Sequence, residues 1–192
     1  MIKNWRLPAY GIILAIALYY YFMPRQAPRP PQPEVVAAPM AVAPSEIVVP
    51  DNVNLGIRRD QLQSVFERAP YKLVFEFKPL GDGRSRMVGQ TMDGMTKIEL
   101  VGPPEGLAAA VVTANMPDNN KLAQVKNLNA LMNAAKLALP DWAEGEVWVN
   151  ANIPAAFQAG SASTTIDGRT LSISVAPNTK ILVMTIIGRD SK

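Results

Sequence analysis

The sequence predicts an α+β fold, with about six to eight mostly antiparallel strands and one main amphipathic helix packed on the sheet. Three observations carry this. Apolar and polar residues alternate through Tyr71–Leu80. Asp-Gly pairs at Asp93-Gly94 and Asp167-Gly168 separate short β-prone runs. A long stretch from Leu122 to Leu139 repeats its apolar residues every three or four positions.

Ahead of that domain, Leu7–Met23 is apolar and uncharged and ends in Tyr19-Tyr20-Tyr21-Phe22. As a helix, 17 residues at about 1.5 Å each span roughly 25 Å, near the short end of what crosses a bilayer core. Trp5 at one end and the tyrosines at the other suit the two membrane interfaces. Lys3 and Arg6 flank one side, Arg25 and Arg29 the other. The free amino group tips the balance toward a cytoplasmic tail of residues 1–6 and an extracytoplasmic remainder. A cleaved signal peptide is the rival reading. Bulky aromatics stand where small residues precede a cut, which favours an uncleaved signal anchor.

The linker 24–50 holds eight prolines, at Pro24, Pro28, Pro30, Pro31, Pro33, Pro39, Pro44 and Pro50. Proline fixes φ and removes a donor, so neither helix nor sheet propagates. An extended spacer reaching at most about 80 Å is expected. The apolar run Ile47-Val48-Val49 opens the folded domain or packs on it.

The domain, 51–192, starts with a helix over Arg58–Ala69 that buries Leu62, Val65, Phe66 and Ala69 and stops at Pro70. Tyr71–Leu80 reads as a strand with Tyr71, Leu73, Phe75 and Phe77 facing in. Ser85–Met92 and Thr96–Val101 form a hairpin on Asp93-Gly94, both turn residues needing positive φ. Leu107–Met116 is a fourth strand. Asp118 or Asn119 caps the main helix, whose stripe is Leu122, Val125, Leu128, Met132, Ala135 and Leu139; Pro140 stops it. Trp142 folds back on the core. Glu146–Asn152 fits a strand or a helix start, with a break at Pro154. Ser161–Ile166, Thr170–Val175 and Lys180–Ile187 form a meander whose last strand is continuously apolar, hence central and covered on both faces. The two Asp-Gly meanders each lead to a Val-x-Pro, at Val101-Gly102-Pro103 and Val175-Ala176-Pro177. Duplication would explain this, and so would the general fitness of Asp-Gly for hairpins.

Composition narrows the chemistry. With no histidine and no cysteine among 192 residues, imidazole acid–base work, thiolate or Ser-His-Asp nucleophiles, disulfides and the usual zinc sites have no residues to run on. No phosphate-binding glycine loop or calcium loop appears, and no cofactor is expected. The pI of about 9.2 partly reflects membrane-flanking charge. Lys3, Arg6, Arg25 and Arg29 are four of 19 basic residues, and Glu34 and Glu46 two of 16 acidic ones. From Asp51 onward 15 basic residues meet 14 acidic ones, so no nucleic-acid partner is expected. Asp82, Asp93, Asp118, Asp141 and Asp167 all fall at turns or caps, where Asp has local work to do.

Two binding surfaces are candidates: a basic patch of Lys72, Lys78, Arg84 and Arg86, and an aromatic pocket of Trp142, Trp148 and Phe157. A solvated strand face and a core role are the respective structural alternatives. The expected function is a non-enzymatic accessory protein of the inner membrane. Its single-pass anchor would present an extracytoplasmic domain that binds another envelope protein. A domain for a small apolar or glycan ligand is the alternative, and a carboxylate-dependent hydrolase stands behind both.

Overall fold

A computed structural model describes residues 49–176 and 178–191. The predicted tail 1–6, the span Leu7–Met23 and the linker up to residue 48 lie outside the described residues. No helix among the described residues is long and apolar enough to cross a membrane.

The chain is α+β, as expected. In order it forms β1 (Val53–Asn54), α1 (Arg59–Glu67), β2 (Val74–Phe77), β3 (Arg86–Gln90), β4 (Thr96–Val101) and β5 (Ala109–Asn115). Then come α2 (Lys121–Ala138), α3 (Gly145–Ala159), β6 (Ser161–Ile166), β7 (Arg169–Val175), β8 (Ile181–Ile187) and β9 (Arg189–Asp190). Seven strands make one antiparallel sheet in the order β2-β3-β4-β5-β8-β7-β6, and β1 pairs with β9 beside it. The two meanders therefore meet at β5 and β8, where Val112 stands opposite Met184. Helices α2 and α3 cover one face, α2 against β5 and α3 against β6 and β7.

Two helices, not one, thus carry the core layer. The first turn of α1 is closed by the Gln61 side chain, which accepts from the Arg58 N–H at 2.8 Å. Leu62 and Phe66 are its buried residues, while Ala69 is exposed. The predicted strand 71–80 shortens to Val74–Phe77. Lys72 takes φ 55, and the Leu73 N–H bonds back to the Phe66 carbonyl at 2.8 Å, so the chain turns before it pairs. Tyr71 and Leu73 are buried through that turn, but Phe77, at the outer end of an edge strand, is 61% exposed. Phe75 packs where Gly89 leaves room: a Cβ on Gly89 would lie 2.5 Å from its ring.

Helix α2 bears out the C-terminal half of the predicted stripe, where Ala135 and Leu139 are buried and Met132 packs on the core, and corrects the N-terminal half. Its buried residues are Asn127, Ala130, Leu131, Ala134, Ala135 and Ala138, whereas Leu122 is 80% and Val125 54% exposed. Alanines let the helix approach the sheet closely beside Leu131, and Leu122 and Val125 near its start are turned outward. Its cap is Asn120, whose side chain accepts from the Ala123 N–H at 3.0 Å; Asp118 instead takes the Lys180 ammonium at 2.7 Å. Pro154 does not break α3, which runs through it to Gly160 in the left-handed conformation (φ 86). Proline costs the helix one donor and the rest of the packing outweighs it.

The strand β8 is central but not sealed on both faces. Leu182, Met184 and Ile186 are buried beneath the helices; Ile181, Val183, Thr185 and Ile187 are half-buried on the other side. That second face carries a small cluster of its own, Val49, Val101 and Ala109, joined by Val53, Leu80 and Ile187. The Arg84 guanidinium fastens it by donating to the Val49 carbonyl at 2.6 Å.

The two Asp-Gly turns are not copies. Asp167 and Gly168, at φ 51 and 75, join Ile166 directly to its partner Arg169 in a two-residue turn. Around Asp93-Gly94 the last strand pair is Gln90 with Lys97, and only Gly94 takes positive φ. Thr96 consequently faces the helices, where its hydroxyl donates to Asn127 Oδ1 at 2.8 Å. Thr170, the matching residue by sequence, pairs with Ile187 on the opposite face. One step of register exchanges the faces of a strand. The sequence echo therefore does not superpose residue on residue.

Candidate functional site

The rotation that buries the alanine face of α2 turns Gln124, Val125 and Leu128 toward α3. On α3, Asn150, Ile153, Pro154 and Phe157 follow the spacing of one helical face. Between these two rows lies a groove of about 450 Å3, floored by Met116 where the chain leaves β5. Val125 and Phe157 remain 54% and 42% exposed along it, and Leu122 continues the apolar surface one turn earlier on α2. At the rim Asp118 and Lys180 form an ion pair of 2.7 Å between two largely exposed side chains. Gln124 donates to the Pro117 carbonyl at 2.7 Å and holds the mouth of the groove to the helix start. Pro154 has no N–H, so the Asn150 carbonyl receives no bond from its usual helical donor. The groove thus offers apolar walls and few polar groups.

Phe157 is the one predicted aromatic that lines this groove. Trp142 and Trp148 pack on each other elsewhere, with centroids 6.1 Å apart and planes tilted 51°, half-buried against the core. Nine residues separate Trp148 from Phe157, half a turn out of phase on α3. The aromatic trio is therefore split. Val125, Leu128, Ile153 and Met116 are the lining residues that sequence reasoning missed. The available signal is the apolar period of α2, which fits a core face and a groove wall alike.

The four predicted basic residues are distributed along β2, β3 and their turn. Lys72 lies in the turn that precedes β2, and Lys78 directly follows it. Lys78 pairs with Glu76 at 2.8 Å, and its ammonium holds the Glu76 carboxyl below the usual carboxylate range. Arg84 grips Asp82 at 2.6 Å as well as Val49; its guanidinium and backbone N–H lower the Asp82 carboxyl likewise. Arg86 meets Glu99 at 3.0 Å, and Lys97 meets the same carboxylate at 2.7 Å. Three of the four cations thus have carboxylate partners, Arg86 sharing Glu99 with Lys97.

Among the described residues no group of three or more acidic side chains could hold a metal ion. Asp141 lies beside Arg169 at 3.6 Å, and Asp93 accepts from the Thr91 hydroxyl and the Met95 N–H within its own turn. No protein-family model, curated protein or solved structure matches the chain.

Proposed function

We propose that this chain is a membrane-anchored, non-enzymatic accessory protein whose extracytoplasmic domain docks an apolar helical segment of another envelope protein in the α2–α3 groove. One observation carries the reading: Val125 and Phe157 stay exposed while lining one groove between the two helices, and Leu122 is exposed one turn before Val125. Large exposed apolar patches rimmed by polar groups mark interaction surfaces. A helix laid in a groove between helices presents apolar residues at the matching spacing. The span Leu7–Met23 and the proline-rich linker supply the tether and the reach.

A photo-crosslinking residue placed at Val125 in the full-length chain, in intact cells, tests this. It should capture a discrete protein, and the same probe at Ser172 on the opposite sheet face should not. Phe157→Asp should abolish the adduct while leaving the melting transition in place. Equal capture from both faces, or none from Val125, overturns the reading. A second reading, a small apolar ligand, rests on the groove volume, which falls in the range of about 300–1,000 Å3 typical of ligand pockets. Native mass spectrometry of the purified chain would then reveal a bound small molecule that Phe157→Asp loses.

A further inference from the structure

Among the described residues the seven-stranded sheet ends in two unpaired edges of opposite character. The edge at β2 is four residues long, carries Glu76, and is followed at once by Lys78 and Pro79. Short length, charge and proline are the means by which proteins keep sheet edges from pairing. The edge at β6 has none of them. It is six residues long, and from Gln158 to Ile166 the chain contains no charge and no proline. Its backbone pairs with β7 in unbroken register from Ser161 to Ile166, without a bulge. Among the described residues no backbone hydrogen bond leaves the other side of β6. The side chains of Ser161, Ser163 and Thr165 on its outer face are exposed.

We propose that β6 is a self-association edge, where two copies of this chain pair their β6 strands antiparallel about a twofold axis into one continuous sheet. The twofold selects the occupant. At such an axis a residue meets its own copy, so any charge there would repel itself. Ser, Ala and Thr meeting themselves carry no such penalty, and Thr–Thr and Thr–Ser neighbours are favourable cross-strand pairs. Because every residue from Ser161 to Ile166 is uncharged, any of them can occupy the axis without self-repulsion. The β2 edge is guarded by its four-residue length and the proline that follows at Pro79, not by its charges, since a twofold at Phe77 would set Glu76 against Lys78 of the second copy.

The absence of native cysteine makes the test direct. Single cysteines are placed one at a time at Ser161, Ala162, Ser163, Thr164 and Thr165 in the full-length chain, in detergent, and oxidised. Crosslinking should peak at the one position on the axis. Two residues away the paired positions separate by roughly 13 Å along the strand, beyond the reach of a disulfide. Glu76→Cys on the other edge should stay monomeric. Ser163→Lys should weaken self-association by at least about tenfold in sedimentation while its thermal transition persists. A monomeric wild-type chain, a flat crosslinking profile, or equal dimerisation through Glu76→Cys overturns the proposal. So does a purified chain that stays single while the β6 cysteines capture only another protein in cells.

Discussion

The N-terminal meander β2–β5 and the C-terminal meander β6–β8 each turn on an Asp-Gly pair, yet they differ in loop length, in charge and in what their hairpins face. In the first, Asp93 is a scaffold: the Thr91 hydroxyl donates to it at 2.6 Å and the Met95 N–H at 3.0 Å, so the loop is wider than the dipeptide. In the second, Asp167 and Gly168 are the whole turn, both in the left-handed region. The same residue type flanks both turns, so its placement decides. A threonine two positions before Asp93 offers a hydroxyl that captures the carboxylate, while Thr165 lies on the exposed side of β6. The same dipeptide therefore specifies a turn without specifying its length, and the length sets which side chains enter the core.

The largest expected effect is one that should not distinguish the two meanders. Leu100 in β4 and Leu171 in β7 are both fully buried in the single core beneath the helices. Each replaced by Ala should cost about 2–5 kcal/mol in urea unfolding. A loss confined to one would break the picture of a shared core.

Next come the turn glycines. Gly94→Ala and Gly168→Ala place a Cβ at φ +68 and +75, an L-residue strain of about 1–2 kcal/mol. Gly168→Ala should be the worse. Its Cβ would meet the Arg189 Cβ at 3.3 Å, on a strand tied to β1, whereas Gly94 meets only the mobile Gln90 amide at 3.2 Å. Thermal melts of the pair would rank them, and an inverted order would refute the distinction.

The smallest effect separates the aspartates. Asp93→Asn should cost about 1 kcal/mol by weakening the charge-assisted bond from Thr91. Asp167→Asn should be near neutral, since Asn-Gly suits the same two-residue turn. The Thr91 hydroxyl and the Met95 N–H hold the Asp93 carboxyl below its ordinary value. A depressed folded value means this stabilisation is present above the unfolded value of about 3.9 and lost as the pH falls through the folded one. Urea midpoints measured from about pH 5 down to pH 2 should therefore decline less steeply in Asp93→Asn than in the wild type.

Much of this architecture was legible from local signals. The strand Thr96–Val101 and the turn Asp167-Gly168 stand where alternation and turn chemistry put them, and Pro140 follows the end of α2. The groove was not legible. The period of α2 is ambiguous between a stripe of large residues and a stripe of small ones, and only proximity to the sheet decides between them. Size usually tracks burial, which puts Leu122 and Val125 in the core. Here Ala130, Ala134 and Ala138 won, since a second helix, α3, fills the space that larger side chains would otherwise close. Pro154 misled for a related reason: its local cost is fixed, but the packing of Val149 and Ala156 on either side of it is not visible in sequence.

By itself, then, the sequence determined the alternation of strands, the positions of turns, the absence of histidine and cysteine chemistry, and the apolar segment that precedes the domain. Those follow from covalent properties of single residues and from periods of two and of about 3.6. The tertiary structure alone decided which face of α2 looks inward, how wide each Asp-Gly loop opens, and which sheet edge stays unguarded. Each of those depends on what lies across a gap of a few ångströms from a distant part of the chain, and no local pattern encodes it.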